Sequence, residues 1–306
     1  WTDCRAGLGN AVPSPWTPLE TNGSSIACHG RTYRFGGTGL MNSIVSRGHE
    51  LLAGDILLKV NGKAVPFTVR NNTADKNGYE ASCELAGSAE KVNFSLNVKA
   101  EYDGCLWFTL KETPDAGAAE IRSMTLEIPL LRKNLSSFDD NRGILSKVDL
   151  RKETRPVLSN DLSVMPFFWI GGDDVGLMAG MANLKGWHVK EKTRSMELKL
   201  NPETATVVWN LIDTPVKLEK ARTVEFYLQA TPVKQKNGKS HTFRESDNVL
   251  VWTPFGKKYF EYLDEKTFDL AQLEGIKRER NARRWRNFYY TAPHGVSPYS
   301  PDWNYF

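Results

Sequence analysis

Residues Phe167–Lys190 have the sequence FFWIGGDDVGLMAGMANLKGWHVK, and the expected architecture follows from this stretch. Its first four residues are continuously apolar, a pattern typical of a buried strand. Gly171–Asp174 follow, and glycine and aspartate tolerate the positive φ angles of a tight turn. Gly176–Met181 then predicts the returning strand, with small residues where another backbone approaches closely. The stretch therefore predicts a hairpin at the centre of an all-β domain.

Other strand patterns recur along the first 234 residues. Apolar and polar side chains alternate over Val92–Ala100, which is the period of a strand with one buried face and one solvated face. Asn61-Gly62 separates two further strand segments and is the strongest short hairpin signal in the chain. Closely spaced strands without helical patterns between them indicate a sandwich or a barrel.

The composition changes after Pro232, which marks a domain boundary. Lys234–Ser240 is polar and contains glycine, as a linker does. Phe268–Asn287 has a convincing helical period, and its second half is basic. A solvated helix face explains that charge better than a nucleic-acid or membrane face. We therefore predict a β-sandwich domain over residues 1–234 and a linker with a basic helix over residues 235–306.

Length and composition exclude several classes of protein. The 306 residues are 40% hydrophobic and 25% charged with a net charge of +4, as in a soluble globular protein without a nucleic-acid partner. No run of eighteen apolar residues exists, so we expect no membrane span. The sequence begins at Trp1 rather than Met, which indicates either a removed signal peptide or a trimmed chain.

The cysteines do not predict a metal site. Cys4, Cys28, Cys83 and Cys105 lack CxxC spacing and have no histidine at a metal-ligand distance in the sequence. Four cysteines allow two disulfides with three pairings, and buried free thiols are an equal alternative. No phosphate-binding glycine motif occurs, so no nucleotide cofactor is expected. We predict no cofactor of any kind.

An ordered set of short motifs resembles a known family. The motifs share their order along the chain and are Pro15-Trp16-Thr17-Pro18, Gly30–Phe35, Gly39-Leu40, Gly48–Ala53, Trp169-Ile170-Gly171, Gly176-Leu177, Gly186-Trp187 and Phe226–Lys234. Together they resemble the N-terminal β-sandwich region of bacterial proteins related to glycoside hydrolase family 123. The resemblance extends from Trp16 to Lys234.

The resemblance implies both a fold and a place in a larger enzyme. The fold is a large two-sheet antiparallel β-sandwich of the mutarotase-like supersandwich kind. In such proteins it precedes a (β/α)8 barrel whose paired Asp and Glu perform substrate-assisted hydrolysis of N-acetylhexosaminides. Phe288–Tyr290 would be the first strand of that barrel, so we carry no catalytic residue over to this chain. The implied location is secreted or periplasmic, and the implied partners are a polysaccharide or oligosaccharide and a barrel in the same or a separate chain.

Neither visible acidic pair is a ready glycosidase dyad. A glycosidase places two carboxyl groups about 5–10 Å apart across the scissile bond. Asp139-Asp140 and Asp173-Asp174 are adjacent residues, and adjacent side chains on a strand point to opposite faces. We interpret both pairs as turn or surface acids. No histidine lies in a Ser/His/Asp or HExxH arrangement.

Tryptophan content is the remaining hint of carbohydrate binding, because an indole ring offers a large apolar face and a donor at its edge. The residues that we predict to contact sugar are Trp187, His188, Asp173 and Asp174. We predict that the other central tryptophans belong to the core; these are Trp107, Trp169 and Trp209.

Three functions remain open at this point. The first is a non-catalytic sandwich that supports or docks a hexosaminidase-type barrel. The second is a carbohydrate-binding or structural module that acts alone. The third is a sandwich-fold mutarotase or lyase, which needs carboxylate, His or Tyr side chains clustered on one sheet face. Strand alternation directs mostly apolar residues inward, which argues against the third.

Overall fold

The computed structural model describes residues 9–115, 117–139, 148–160 and 167–233. Within these residues the chain is all-β, with short 3-10 helices at Arg132–Asn134 and Lys192–Arg194. The strands, numbered in chain order, are β1 Glu20–Asn22, β2 Ser25–Cys28, β3 Arg31–Phe35, β4 Met41–Ser46, β5 His49–Glu50, β6 Leu57–Val60, β7 Lys63–Ala64, β8 Phe67–Ala74, β9 Glu80–Ala89, β10 Val92–Glu101, β11 Cys105–Pro114, β12 Ala119–Ile121, β13 Met124–Leu131, β14 Ser137–Asp139, β15 Val148–Asp149, β16 Val157–Asn160, β17 Phe167–Gly171, β18 Gly176–Met181, β19 Met196–Leu200, β20 Thr204–Ile212, β21 Val216–Leu218 and β22 Arg222–Thr231.

Two large sheets form the sandwich. One has the order β15-β14-β17-β18-β22-β11-β10-β9-β8, and the other has the order β16-β19-β20-β13-β6-β7. The strands β1 to β5 form a third sheet, and β12 pairs with β21. All pairings between these strands are antiparallel. The predicted fold class, a large antiparallel β-sandwich, is confirmed.

The main core lies between the two large sheets. Trp209 of the six-stranded sheet is fully buried. Its ring packs edge-on against Phe168 and Phe226 of the nine-stranded sheet, at centroid distances of 6.1 and 5.9 Å. Trp209 is therefore a core residue, as predicted.

The β17–β18 hairpin forms where the sequence predicts it, but its turn requires glycine for a reason other than the expected positive φ. Phe167 pairs with Gly180 and Gly171 with Gly176, and the Gly172 amide donates to the Val175 carbonyl at 2.8 Å. Neither Gly171 nor Gly172 has a positive φ, contrary to our expectation. A Cβ on Gly172 would instead lie 2.5 Å from the Asn134 carbonyl oxygen. Close backbone approach therefore requires glycine in this turn.

Other local predictions agree with the structure. Asn61 and Gly62 have φ values of 50° and 80° and form the turn between β6 and β7. Alternate residues of β10 are buried and exposed along its whole length. The prediction for Trp107 is wrong, because its side chain lies on the outer face of β11 and is 39% exposed.

One charged residue of β11 faces the core. Glu112 is fully buried, and the Arg222 Nε donates to its Oε2. The Arg222 Nη1 donates to the Gly186 carbonyl at 2.7 Å. The Glu112 Oε1 has no hydrogen-bond partner among the described residues. Burial raises the pKa of Glu112, and the neighbouring guanidinium opposes that shift.

A second buried arginine connects the five-stranded sheet to the end of β22. Arg31 is 2% exposed and donates to the carbonyls of His29, Ala230 and Val233 at 3.1–3.2 Å. Beside it, the Tyr33 hydroxyl donates to the Gly104 carbonyl at 2.8 Å and accepts from the Ala230 amide at 3.1 Å. These bonds satisfy backbone groups that neither sheet pairs.

Three of the four cysteines carry free thiols in the structure. They are Cys28, Cys83 and Cys105, and Cys4 lies outside the described residues. This finding favours the free-thiol alternative over the two-disulfide one. Burial raises the pKa of Cys28 and of Cys105 to about 11, and that of Cys83 to about 12.

We expect these thiols to make the stability of the folded protein decrease with rising pH in the alkaline range. A raised pKa in the folded state adds stability below the unfolded value of 9.0, and this contribution is lost as the pH rises through about 11. The urea midpoint should therefore fall across this interval, and the fall should be smaller in Cys83→Ala. Cys105 is half-buried, so in a background with Cys4→Ser and Cys105→Ser, Ellman's reagent should label Cys28 and Cys83 at about pH 8 only after unfolding. Rapid labelling of the folded protein would contradict the expectation.

The C-terminal predictions lie outside the described residues. They comprise the domain boundary at residues 234 and 235, the helix Phe268–Asn287 and the strand Phe288–Tyr290. They stay predictions. Within the described part of the chain, no helix has the length and apolar character needed to cross a membrane.

Candidate functional site

An open cleft of about 460 Å³ lies beside the β17–β18 turn. The turn contributes Asp173 and Asp174, and β5 contributes His49. Lys133 comes from the first 3-10 helix, and Arg151 follows β15. All five side chains are exposed. The cleft therefore combines carboxylate acceptors, ammonium and guanidinium donors and an imidazole.

Hydrogen bonds to backbone carbonyls hold the walls of the cleft. The guanidinium of Arg132 donates to three of them, at 2.7–3.0 Å. These carbonyls belong to Asn201, Leu150 and Glu153. The Asn134 side chain donates to the Glu50 carbonyl at 2.7 Å and so joins the 3-10 helix to β5. Arg132 and Asn134 are thus structural, whereas Lys133 between them projects into solvent.

Ion pairs around the cleft are exposed and weak. Arg47 and Asp174 approach to 3.7 Å, with side chains 32% and 68% exposed. The Arg151 Nε lies 3.0 Å from the Asp149 Oδ1, and this hydrogen bond lowers the pKa of Asp149. Exposed pairs of this kind contribute about 0–1 kcal/mol. The side chains are therefore free to exchange these partners for the hydroxyl groups of a ligand.

The cleft lacks the surroundings of a glycosidase acid. Such an acid is kept protonated by an apolar environment, whereas Asp173 and Asp174 face water and cations. Burial does raise the pKa of another carboxyl group, Glu112. That group is enclosed in the core, away from any substrate. Asp139 ends β14, and Asp140 lies outside the described residues. No group of three His, Cys, Asp or Glu side chains in the described ranges is placed to hold a metal ion.

Trp187 and His188 follow β18 in the chain, beyond the end of that strand opposite the turn, and β18 itself is roughly 17 Å long. Trp187 packs partly buried against the core, and its Nε1 is buried without a partner among the described residues. His188 has an exposed side chain, and its backbone amide donates to the Leu211 carbonyl at 2.8 Å. The structure thus brings Asp173 and Asp174 into the cleft but does not bring Trp187 and His188 to them.

Sequence reasoning missed three cleft residues, His49, Lys133 and Arg151. They come from elements between 22 and more than 100 positions away from the turn, and no local period connects them to it. The structure explains Gly172 by the close approach of the Asn134 carbonyl, a contact between residues distant in sequence that no local pattern predicts.

A family model and several solved structures resemble this chain. The model described as glycoside hydrolase 123, third domain, matches residues 19–185, which confirms the resemblance found in the sequence. A galactose mutarotase related enzyme from Lactobacillus acidophilus is 8% identical with a TM-score of 0.43, and the match covers 69% of this chain and 98% of that one. Comparison with curated proteins gives no match.

Two longer solved structures are also similar to this chain. A heparinase III is 10% identical with a TM-score of 0.40, over 71% of this chain and 34% of that one. A heparan sulfate lyase HepC mutant from Pedobacter heparinus is 8% identical with a TM-score of 0.40, over 69% of this chain and 34% of that one. The matches therefore cover about a third of the length of each of these two proteins.

Proposed function

Because the chain belongs to the family of glycoside hydrolase 123 third domains, we propose that it is a non-catalytic β-sandwich module that supports or docks a hexosaminidase-type barrel. The family match carries this proposal. It covers residues 19–185, more than half of the 306 residues, and includes the strands from β1 to β18. The barrel belongs to the same chain or to a separate one.

The surroundings of the acidic residues support the non-catalytic part of the proposal. The cleft carboxylates lie in an exposed turn, and Asp174 is paired with Arg47. Glu112 is fully buried, is held by Arg222 and has no path to a substrate. Neither arrangement supplies a protonated acid beside a carboxylate across an open cleft, as glycoside hydrolysis needs.

The cleft is proposed to contribute contacts rather than chemistry. Its mixed donors and acceptors suit the hydroxyl groups of a polysaccharide or oligosaccharide. In this proposal Asp173 and Asp174 accept hydrogen bonds, whereas Trp187 and His188 act at a separate place. A secreted or periplasmic location suits a module that serves polysaccharide breakdown.

Chromogenic N-acetylhexosaminides test the proposal. We expect the 306-residue chain to release no 4-nitrophenol from 4-nitrophenyl N-acetyl-β-D-hexosaminides above the uncatalysed rate. Addition of the chain to a separately produced family 123 barrel should raise the melting temperature of the barrel, because binding to the folded state stabilises it.

A double variant, Asp173→Asn with Asp174→Asn, is the matched control for the hydrolysis assay. Release that disappears in this variant would make the cleft an active site and overturn the non-catalytic role. Release that persists would place catalysis elsewhere in the chain and overturn it as well. An unchanged melting temperature of the barrel would contradict docking.

A further inference from the structure

The outer face of the nine-stranded sheet, directed away from the six-stranded sheet, carries an unusual row of side chains. Directly paired residues of antiparallel strands point to the same face. Lys99 pairs with Trp107, Trp107 with Tyr227, and Tyr227 with Gly180. The row crosses β10, β11, β22 and β18, four neighbouring strands.

Two aromatic rings in this row lie nearly parallel to each other, and we call this pair, Trp107 and Tyr227, the aromatic platform. Their ring planes differ by 12°, and their centroids are 6.2 Å apart. A Cβ on Gly180 would lie 2.5 Å from the Tyr227 hydroxyl oxygen and 2.6–2.7 Å from the nearest ring carbons. Glycine at this position therefore allows the tyrosine ring to lie down over β18.

A polar cleft adjoins the aromatic platform. It has a volume of about 390 Å³, and its lining offers hydroxyl, amide, ammonium and carboxylate groups. The residues that supply them are Thr73, Ser82, Asn97, Lys99, Asp75 and Glu80. The Lys99 Nζ lies 2.6 Å from the Glu80 Oε1, and that hydrogen bond raises the pKa of Lys99. Because Lys99 pairs directly with Trp107, the cleft and the platform form one continuous surface.

The charge of this face selects against anionic ligands. On β9, β10, β11 and β22 the outward charged side chains are Glu80, Glu84, Glu101, Glu225, Lys99 and Lys111. Carboxylates thus outnumber ammonium groups four to two, and one of the two ammonium groups is already paired. A sulfated or uronic-acid polymer would be repelled, whereas an uncharged ligand is not.

An exposed aromatic surface beside a polar cleft matches the surface of a sugar, which has apolar C–H faces and hydroxyl edges. Aromatic rings with polar groups at their edge suit such amphipathic ligands, and a small number of placed polar groups orients the ligand. We propose that the aromatic platform and its polar cleft bind a neutral oligosaccharide, with a sugar ring on Trp107 and its hydroxyls on Asn97, Lys99 and Glu80. This site goes beyond the proposed function, which assigns glycan contacts to the cleft beside the β17–β18 turn and none to this face of the sheet.

Isothermal titration of the 306-residue chain with a panel of neutral oligosaccharides, chitohexaose and xylohexaose among them, tests the proposal. Heparin-derived hexasaccharide serves as the anionic probe. We expect saturable binding of at least one neutral probe and none of the heparin fragment. Trp107→Ala should weaken binding about ten-fold or more, as loss of a central aromatic anchor does. Trp107→Phe should retain most of the affinity.

A matched control tests whether loss of any exposed apolar side chain would weaken binding. Val157 is also an exposed large apolar residue, at 44%, but it lies on β16 of the other sheet, so Val157→Ala should leave the affinity unchanged. Gly180→Ala should weaken binding by displacing the Tyr227 ring, while circular dichroism reports whether each variant is folded. No saturable binding of any neutral probe, preference for the heparin fragment, or unchanged affinity in Trp107→Ala would each overturn the proposal.

If this face binds a protein instead of a sugar, the same experiments would show it. It would appear as loss of barrel association in Trp107→Ala without any oligosaccharide binding, and it would overturn the sugar site. Failure of the sugar site leaves the hydrolysis assay unaffected, so it is distinguishable from failure of the proposed function.

Discussion

Replacement of Arg222 by leucine is expected to lower the free energy of unfolding by about 3–5 kcal/mol, because it leaves the buried Glu112 carboxylate without a partner. The same change removes the hydrogen bond to the Gly186 carbonyl. Urea unfolding followed by tryptophan fluorescence measures the difference. The double variant Glu112→Leu with Arg222→Leu should recover most of the loss, since an apolar pair fills the space without a buried charge.

The loss of unfolding free energy in Arg222→Leu should also depend on pH, and it should increase as the pH rises. Burial raises the folded-state pKa of Glu112, and loss of Arg222 raises it further. An acid with a raised folded-state pKa adds stability below its ordinary value of 4.5 and loses that stability as the pH rises through the folded-state value. The Arg222→Leu penalty should therefore be larger at about pH 8 than at about pH 5. Equal penalties at the two pH values would argue that Glu112 is not the responsible group.

Arg151→Leu is the matched control for that experiment. Arg151 also pairs with a carboxylate, Asp149, at 3.0 Å, but its side chain is exposed to water. Loss of such a pair costs about 0–1 kcal/mol. The contrast between the two arginines tests burial rather than charge.

Replacement of Arg31 by methionine is expected to lower the free energy of unfolding by about 1–3 kcal/mol, because the buried Ala230 carbonyl loses this donor and the Val233 carbonyl loses one of its two donors. The methionine side chain keeps much of the arginine's apolar volume, so the loss reports the hydrogen bonds. Thermal unfolding of Arg31→Met and of Arg34→Met should be compared, since Arg34 lies on the same strand with an exposed side chain.

The Arg34→Met control should stay within about 0.5 kcal/mol of the parent protein, as surface changes usually do. Similar losses in both variants would show that the carbonyl contacts of Arg31 are not what stabilises the junction. A loss confined to Arg31→Met would assign the junction of the five-stranded sheet and β22 to that guanidinium.

Local sequence patterns were sufficient to predict most of the strands. The bounds predicted for the returning strand, Gly176–Met181, agree with those of β18, and the alternation over Val92–Ala100 identified the buried face of β10. These successes share a cause, since hairpin turns and period-two patterns are determined by neighbouring residues.

The incorrect and missing predictions concern features that depend on contacts between residues distant in the sequence. Trp107 alternates with Phe108 along β11, but whether an aromatic side chain lies inside or outside depends on which sheet packs against that strand. The cleft combines Asp173 with His49, Lys133 and Arg151, which the chain brings together only through tertiary structure. Asp173 and Asp174 reach the same cleft because they lie in one turn, whereas Trp187 lies beyond the far end of β18. That these residues contact sugar stays a prediction.

The position of β22 has a consequence for how the protein is made. It is the last described strand along the chain, yet it lies between β18 and β11 in the nine-stranded sheet. Until the ribosome has released Thr231, β18 and β11 each present an unpaired edge, and exposed edges are sites of aggregation. The sheet therefore closes late during synthesis, through contacts between distant residues, which are slow to form. Shielding of these two edges by a chaperone would increase the yield of correctly folded protein.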